Sequence, residues 1–492
     1  MGDGSSGTIG VVGAGPAGLT AAWELDRLGL RPTVFEAHPS LVGGLSRTER
    51  YGGYRFDIGG HRFFTKSDEI RELWHRFLPD EDFLVRQRMS RIYYRGRFFR
   101  YPLDAKDALR KLGVVEAARC GFSYLASTLR PKRNIVSFED WVVAHFGRRL
   151  YEIFFKTYTE KVWGMPCSEI SADWAAQRIK GLSLFRAVKQ ALFGQRGEIV
   201  KTLIEEFEYP RLGPGMMWER VAEDLAARGV SVQLGTRVAE IHHDGGRVVA
   251  LEVETATESR RVAVDAMVSS MPIRALVEGL RPKPPSEVLD AARALRYRDF
   301  LTVVLVLDDP DVFPDNWIYI HDPSVRVGRV QNFKNWSPEM VPDQRHTALG
   351  LEYFCNEGDD LWDATDEELL ERGSRELASI GLIDSDKVID GTVIRVHKAY
   401  PVYDEEYAAN VAVIRSYLDA EFDNLQLCGR NGMHKYNNQD HAMMTGLMAA
   451  RNLAGQEWDQ WRVNQDAEYL EEVSADDTGG RMVPRKVTVR DD

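Results

Sequence analysis

The chain has 492 residues, more than one hydrophobic core comfortably fills, so two or three lobes are expected. With 44% hydrophobic and 28% charged residues it reads as an ordinary globular protein, and a net charge of −12 argues against coating a nucleic acid. The longest mostly apolar run, Phe300 to Leu307, is too short for a bilayer, and the N-terminal residues lack a secretory pattern. Cys120, Cys167, Cys355 and Cys428 have no spacing that points to a disulfide frame or a zinc site. The expectation is a cytoplasmic protein with no membrane contact, in which any polyanionic ligand meets locally placed arginines. Oligomeric state is not legible.

Residues 1–7 and 475–492 read as loose tails. From Thr8 the text runs strand, glycine turn, helix, strand (TIGVVGAG, PAGLTAAWELDRLG, PTVFEA). From Asp104 to about Gln190 the pattern is mostly helical, with Ser137 and Asp140 spaced as a capping box. Val230 to Pro272 is strand-like, and Asp244-Gly245-Gly246 supplies a hairpin turn. RPKPPSE, Arg281 to Glu287, breaks the pattern at a lobe boundary; FLTVVLVL and NWIYIH then begin a second sheet. A loop from Gly429 leads into a helix ending near Leu453.

Gly13-Ala14-Gly15-Pro16-Ala17-Gly18 is a G-x-G-x-x-G between an apolar strand and a helix. The first glycine makes the turn, the second lets backbone amides approach a pyrophosphate, and the third lets the helix pack closely. Glu36 ends the second strand 23 residues after Gly13, where an acid holds a ribose diol. Two more glycine loops follow, Val42-Gly43-Gly44-Leu45-Ser46-Arg47 and Phe56-Asp57-Ile58-Gly59-Gly60-His61. A long, bent flavin dinucleotide needs such loops along its phosphates and ring, which favours FAD over NAD.

These motifs resemble the FAD-binding lobe shared by amine oxidases, protoporphyrinogen-oxidase-like enzymes and UDP-galactopyranose mutases. Gly429-Arg430 resembles that superfamily's late segment closing over the flavin, and Val238 falls where relatives touch the adenine end through backbone. Val238 reads equally well as an ordinary strand valine. Within the superfamily, the mutase branch is resembled by the block Tyr158 to Gly164 with Trp163, followed by Arg178. Trp317-Ile318-Tyr319 with Arg329 ten residues later and the run to Asn335-Trp336-Ser337-Pro338 is similar to its eukaryotic-type members, as are Tyr400-Pro401 and Gly429-Arg430…Tyr436…Asn438-Gln439-Asp440-His441. Between Tyr436 and Asn438 two residues of the family spacing are missing.

The resemblance implies an α/β fold: a Rossmann-like FAD-binding domain over 8–90, 196–275 and 396–455, a mostly helical substrate lobe over 91–195, and an antiparallel sheet lobe over 276–395. It implies an isomerase that interconverts the pyranose and furanose forms of a nucleotide-diphospho-hexose through a flavin N5–sugar adduct on reduced flavin, with NADPH as reductant. His61 would sit beside the flavin and tune N5, while Arg178 and Arg329 would hold the diphosphate. Arg178 reads alternatively as a helix-surface charge. Tyr101, Leu103, Asp104, Trp163, Tyr319, Tyr400 and Tyr436 are the implied substrate contacts. The implied cofactor contacts are Gly13, Gly15, Ala17, Gly18, Glu36, Gly43, Gly44, Leu45, Ser46 and Arg47, together with Gly60, His61, Val238, Gly429, Arg430, Asn438 and Gln439. Asp104 stands where the family pattern has an amide: a carboxylate only accepts, which suits guanine over uracil, or it caps the next helix. The substrate is thus a GDP- or UDP-hexose. The rival reading is a true FAD-dependent oxidoreductase of the amine oxidase or protoporphyrinogen oxidase type.

Overall fold

A five-stranded parallel sheet forms one half of the molecule. The computed structural model describes residues 7–101, 103, 105–129, 135–172, 202–203, 206–464 and 472–473. The strands of the parallel sheet lie in the order Ser231–Gln233, Arg31–Phe35, Thr8–Val12, Ala266–Ser269, Leu425–Leu427. Successive side chains on a strand point to opposite faces, so Val11, Val34 and Val268 enter one core while Val12, Phe35 and Met267 enter the other. Helices Pro16–Arg27 and Gln439–Leu453 cover the first face. Helices Ile273–Gly279, Ser286–Ala294 and Tyr407–Glu421 share the second core with the antiparallel sheet Arg237–Asp244, Arg247–Glu254, Ser259–Ala263. The two central turn residues of its first hairpin, Gly245 and Gly246, both have positive φ, as the Asp-Gly-Gly signal requires.

The second half is built on a seven-stranded sheet, in the order Val388–Pro401, Tyr297–Leu307, Thr347–Cys355, Arg329–Asn332, Trp317–Ile320, Ser90–Tyr94, Arg97–Arg100. This differs from the expected boundaries at three points. Ser90–Tyr94 and Arg97–Arg100, expected in large part within the helical lobe, pair as a hairpin at the sheet edge because both of its faces are covered: Ile92 opposite Phe99 enters the helical-lobe core, and Tyr93 opposite Phe98 enters the core of the sheet lobe. Val388–Pro401 runs through the boundary expected at 396, paired along its length with Tyr297–Leu307. Ile273–Gly279 and Ser286–Ala294, on the sheet-lobe side of 276 in large part, bury their apolar faces in the parallel-sheet core.

The helical lobe runs through Ala105–Leu112, Val114–Leu129 and Phe138–Phe146, the last opened by a complete Ser137–Asp140 capping box. After Gly147 the chain continues as Arg148–Tyr151, one π turn over Glu152–Lys156, and Thr157–Trp163. Among the described residues no helix is long and apolar enough to cross a membrane.

Candidate functional site: a glycine cradle facing a polar diagonal

The glycine turn after Thr8–Val12 opens helix Pro16–Arg27 with no side-chain cap, so its first amides point out of the turn. At Gly18 an added Cβ would lie 1.9 Å from the Gly13 carbonyl oxygen, so the turn itself demands glycine there. Gly15 is different. A Cβ there would meet Gly44 Cα at 3.7 Å and the Gly43 carbonyl at 3.9 Å, ordinary contacts that packing tolerates. The space between Gly15 and the Gly43–Gly44 loop is therefore a cradle that the protein leaves open. Ala17 lies against Gly429, whose added Cβ would approach it to 2.9 Å.

Glu36 accepts the Ala14 and His38 amides, one on each oxygen, at 2.7 and 2.8 Å. Each oxygen keeps a second lone pair for a diol. Val238 is a core valine, buried opposite Val253, two residues beyond the Thr236 amide that donates to the Glu36 carbonyl. Leu45 packs beside Ile58 and Tyr400; Ser46 is buried; Arg47 donates to the Gly44 carbonyl at 3.0 Å and pairs with Glu49 at 2.6 Å, bracing the second loop.

The third loop is fixed at both ends. Asp57 accepts the Thr48 hydroxyl at 3.1 Å and the Tyr209 hydroxyl, and the Phe63 amide donates to the Glu208 carbonyl at 3.0 Å. Full burial pushes the Asp57 carboxyl up to about 7. Between these anchors the His61 imidazole meets the Ile58 carbonyl at 2.7 Å. Burial, with Arg430 and Arg329 nearby, brings His61 down to about 4, so it is neutral. An added Cβ on Gly59 would lie 3.6 Å from Arg329 Nη2, 3.9 Å from His61 Nε2 and 4.0 Å from the Tyr400 hydroxyl. Three predicted residues thus surround one point.

Register explains how Arg329 arrives there. Directly opposed residues share a face, and pairing aligns Thr302 with Glu352, Glu352 with Arg329, and Arg329 with Tyr319. One step along, Gly350 opposes Gln331, Gln331 opposes Trp317, and Trp317 lies beside Ser90. The other face of these strands is an apolar core of Leu, Val and Ile closed by helix Asp366–Ser379. A polar diagonal in so apolar a sheet needs a reason. Glu352, fully buried, takes Arg329 Nε at 2.7 Å and Nη2 at 2.5 Å on one oxygen, and Gln331 Nε2 at 2.7 Å on the other. The carboxylate holds the guanidinium firmly charged, while burial pushes the Glu352 carboxyl up. Gln331 Oε1 has no partner and lies 3.6 Å from the Cβ position of Gly60; Gly60 itself is accessible although the Trp336 ring is 3.3 Å from that position.

Around Arg329 the tyrosines converge. Tyr400 and Tyr436 stack at 5.7 Å, so the shortened spacing does not separate them. Tyr319 packs on Tyr101 at 4.5 Å and edge-on to Tyr158 at 5.4 Å, and all of these together with Leu103, Tyr158 excepted, border the apolar core of the helical lobe. Arg430 lies over the Tyr400 and Tyr436 rings at 5.4 and 4.7 Å while donating to the Asn437 and Ala399 carbonyls. It clamps the two tyrosines. Trp163 is a core residue of the helical lobe, and its helix is tied down by Lys161, which donates to the Ile320, Asp322 and Val327 carbonyls and is brought by burial down to about 8. Asn438 caps helix Gln439–Leu453, and Gln439 donates to the Arg62 carbonyl at 3.4 Å. Arg178 and Asp104 lie outside the described residues.

Sequence reasoning missed Asp57 and Tyr209 as loop anchors, Glu352 and Gln331 as partners of the arginine, and Arg88, whose guanidinium sits over Tyr101 and Trp317 at 5.3 and 5.6 Å. For Glu352 a signal existed: a lone acid inside the strand TALGLEYFC.

Residues 16–454 match the family described as flavin containing amine oxidoreductase. The chain belongs to that family. A flavin is the family's cofactor, and the cradle fits it: an uncapped helix start, an opening at Gly15 that packing does not demand, and an acid with unused lone pairs all lie along one edge. Among curated relatives, a probable UDP-galactopyranose mutase of Klebsiella pneumoniae is 25% identical over 170 residues, 33% of this chain and 42% of that protein. An L-glutamate oxidase precursor of Streptomyces viridosporus is 36% identical over 91 residues, 18% of this chain and 13% of that protein. Both matches span less than half of the relative's length. Among solved structures, a reduced UDP-galactopyranose mutase superposes with a TM-score of 0.80 at 22% identity, covering 92% of this chain and 97% of the other. A putative protoporphyrinogen oxidase from Exiguobacterium superposes with a TM-score of 0.68 at 18% identity, covering 90% and 98%. The amine oxidoreductase fold of this flavoprotein, with its mixed parallel and antiparallel sheets, is the one these neighbours share.

Proposed function

We propose that this flavoenzyme interconverts the pyranose and furanose forms of a nucleotide-diphospho-hexose. The observation that carries the reading is the Arg329–Glu352–Gln331 diagonal, which aims a buried guanidinium at the Gly59–His61 loop among Tyr319, Tyr400 and Tyr436. When bound and reduced, the flavin supplies a nucleophilic centre for the anomeric carbon. The chain's own task is to hold a leaving diphosphate close enough to return. Arg329 has two of its nitrogens on Glu352, which leaves Nη1 and the tyrosine hydroxyls to meet phosphate oxygens. Arg178 is proposed as its partner. Neutral His61 is not equipped as a general acid, and the Glu352 carboxylate is taken up by its two donors. A site rich in held donors and poor in proton-transfer groups suits a rearrangement whose difficult chemistry the cofactor carries. The proposed base contact is Asp104, favouring GDP; comparing GDP and UDP affinity in wild type and Asp104→Asn tests it.

A second reading follows from the glutamate oxidase relative: the same buried arginine suits a substrate carboxylate. One anaerobic experiment separates the two. Dithionite- or NADPH-reduced holoprotein is incubated with GDP- and UDP-hexoses and the products are examined for furanose. Furanose from reduced enzyme without oxygen uptake is the expected result; turnover only by oxidised enzyme, with stoichiometric oxygen consumption, sinks the mutase reading.

A further inference from the structure

Beside the Arg329–Glu352 pair, two buried polar atoms have no partner among the described residues: Gln331 Oε1 and Trp317 Nε1. Gln331 is fully buried and Trp317 is 5% exposed. Buried polar groups are ordinarily hydrogen-bonded, so each orphan needs an explanation. These two belong together. Trp317 and Gln331 oppose each other directly on neighbouring strands. Side chains so placed share a face and start about 5 Å apart at Cβ. The indole N–H only donates, and the amide oxygen only accepts.

The orientation of the amide is set from behind. Its Nε2 donates to Glu352 at 2.7 Å, and because a carboxylate only accepts, Oε1 is turned away from that pair. It lies 3.6 Å from the Cβ position of Gly60, just as Arg329 Nη2 lies 3.6 Å from that of Gly59. Successive glycines of one loop thus face alternate residues of strand Arg329–Asn332, roughly 6.6 Å apart along it. Gly60 is exposed and has no side chain to screen the amide. With a diphosphate on Arg329, the next group along this line is the sugar attached to it.

Few chemical groups suit the place between the two orphans. A phosphate or carboxylate oxygen satisfies Trp317 Nε1 and is repelled by Gln331 Oε1. An ammonium satisfies Gln331 alone, and the Arg62 and Arg88 guanidinium groups over the Trp317 ring, at 5.9 and 5.6 Å, disfavour a further cation. A hydroxyl donates and accepts, and so completes both.

We propose that Gln331 and Trp317 select the sugar of the substrate by holding one ring hydroxyl, which donates to Gln331 Oε1 and accepts from Trp317 Nε1. This rests on the nucleotide-sugar reading and adds to it a specificity element, a hydroxyl required at one position of the hexose. Glu352 then serves both parts of the ligand. One oxygen holds Arg329 for the diphosphate, and the other sets the Gln331 amide for the sugar.

The test titrates anaerobic, dithionite-reduced holoprotein with GDP, UDP, GDP-mannose, UDP-glucose and UDP-galactose. Gln331→Met and Trp317→Phe should each weaken the best-bound sugar conjugate about tenfold or more, while its bare diphosphate stays within about threefold of wild type. Trp317→Phe leaves the amide and Glu352 untouched, which separates the sugar contact from any effect on Arg329. Among monodeoxy analogues of that conjugate, one should bind wild type as weakly as the parent binds the variants, because its absence leaves both orphans unpaired. Ligand-free Gln331→Met should keep the flavin absorbance of wild type. The proposal is overturned if conjugate and bare diphosphate weaken by the same factor in both variants, since Gln331 then acts only through Arg329. It is overturned if neither weakens, since a water then fills the pair, or if the ligand-free flavin bands shift, since the amide then faces the cofactor. Wild type that binds none of the five ligands overturns the proposed function itself, a result distinct from these.

Discussion

The two ends of the site are built by different means. At the glycine cradle the chain offers backbone: amides at the start of helix Pro16–Arg27 and the open edge of the Gly43–Gly44 loop. At the polar diagonal it offers side chains, brought from three strands by register and held by one buried carboxylate, Glu352. A backbone site is specified by where side chains are absent, so one misplaced Cβ closes it. A side-chain site is specified by partners, so it fails in degrees as charge and hydrogen bonds are withdrawn.

The cradle should therefore give the largest and most abrupt effects, and two neighbouring glycines should fail in different ways. Gly15→Leu fills a space that packing leaves open, so the protein should fold and purify without flavin. Gly18→Ala meets the Gly13 carbonyl and should lower the yield of folded protein. Absorbance of purified protein near the flavin bands reads the first, circular dichroism the second. Yellow, stoichiometric Gly15→Leu protein would move the cofactor away from this loop.

At the diagonal the losses should be graded. Arg329→Ala should keep its flavin and weaken nucleoside-diphosphate binding by about 2–5 kcal/mol, the range for truncating one partner of a buried charge pair. Calorimetric titration checks it, and unchanged affinity removes Arg329 from the ligand site. Glu352→Gln leaves the guanidinium buried without a counter-charge, which should cost about 3 kcal/mol of stability. If the site takes a diphosphate, that anion replaces the missing charge. Added GDP or UDP should then raise the melting temperature of Glu352→Gln more than that of wild type; an equal rise in both contradicts the pairing.

The same contrast explains what could be read from the sequence. The cradle is local: strand, three glycines, helix and Glu36 follow within one supersecondary unit, and each residue type has one conformational or chemical reason to be there. The Asp-Gly-Gly hairpin and the Ser137 capping box were legible for the same reason. The diagonal is non-local. Arg329 and the three tyrosines could be named by resemblance, but neither Glu352 as their anchor nor the edge hairpin Ser90–Arg100 as part of their sheet follows from spacing. Register between strands far apart in sequence decides which alternate residues share a face. The Asp57–Tyr209 anchor is hidden by the same distance, since 152 residues separate its partners.

That anchor yields the smallest expected effect, in the pH dependence of stability, and it joins the two ends because Asp57 carries the loop that bears His61. Desolvation brings half-buried His61 and buried His434 down to about 4 and buried His321 to about 3. Between pH 6.5 and 4 the unfolded chain binds protons on these histidines and the folded chain does not, so their contribution to stability falls as pH falls. Asp57 acts in the opposite sense. With its carboxyl pushed up to about 7, the folded chain keeps a proton there that the unfolded chain releases above about pH 4, so its contribution falls as pH rises toward 7. Over this window one carboxyl opposes three histidines, so Asp57 reduces the rise of wild-type stability with pH without cancelling it. Asp57→Asn retains hydrogen-bonding capacity for the Tyr209 and Thr48 hydroxyls but removes the titration. Its stability should then rise with pH more steeply than that of wild type, by up to about 1.4 kcal/mol per pH unit. Urea unfolding of holoprotein at pH 4.5, 5.5 and 6.5 measures both slopes. Parallel profiles would mean that Asp57 is already ionised in the folded protein, and that the loop bearing His61 is held by a charged anchor instead of a protonated one.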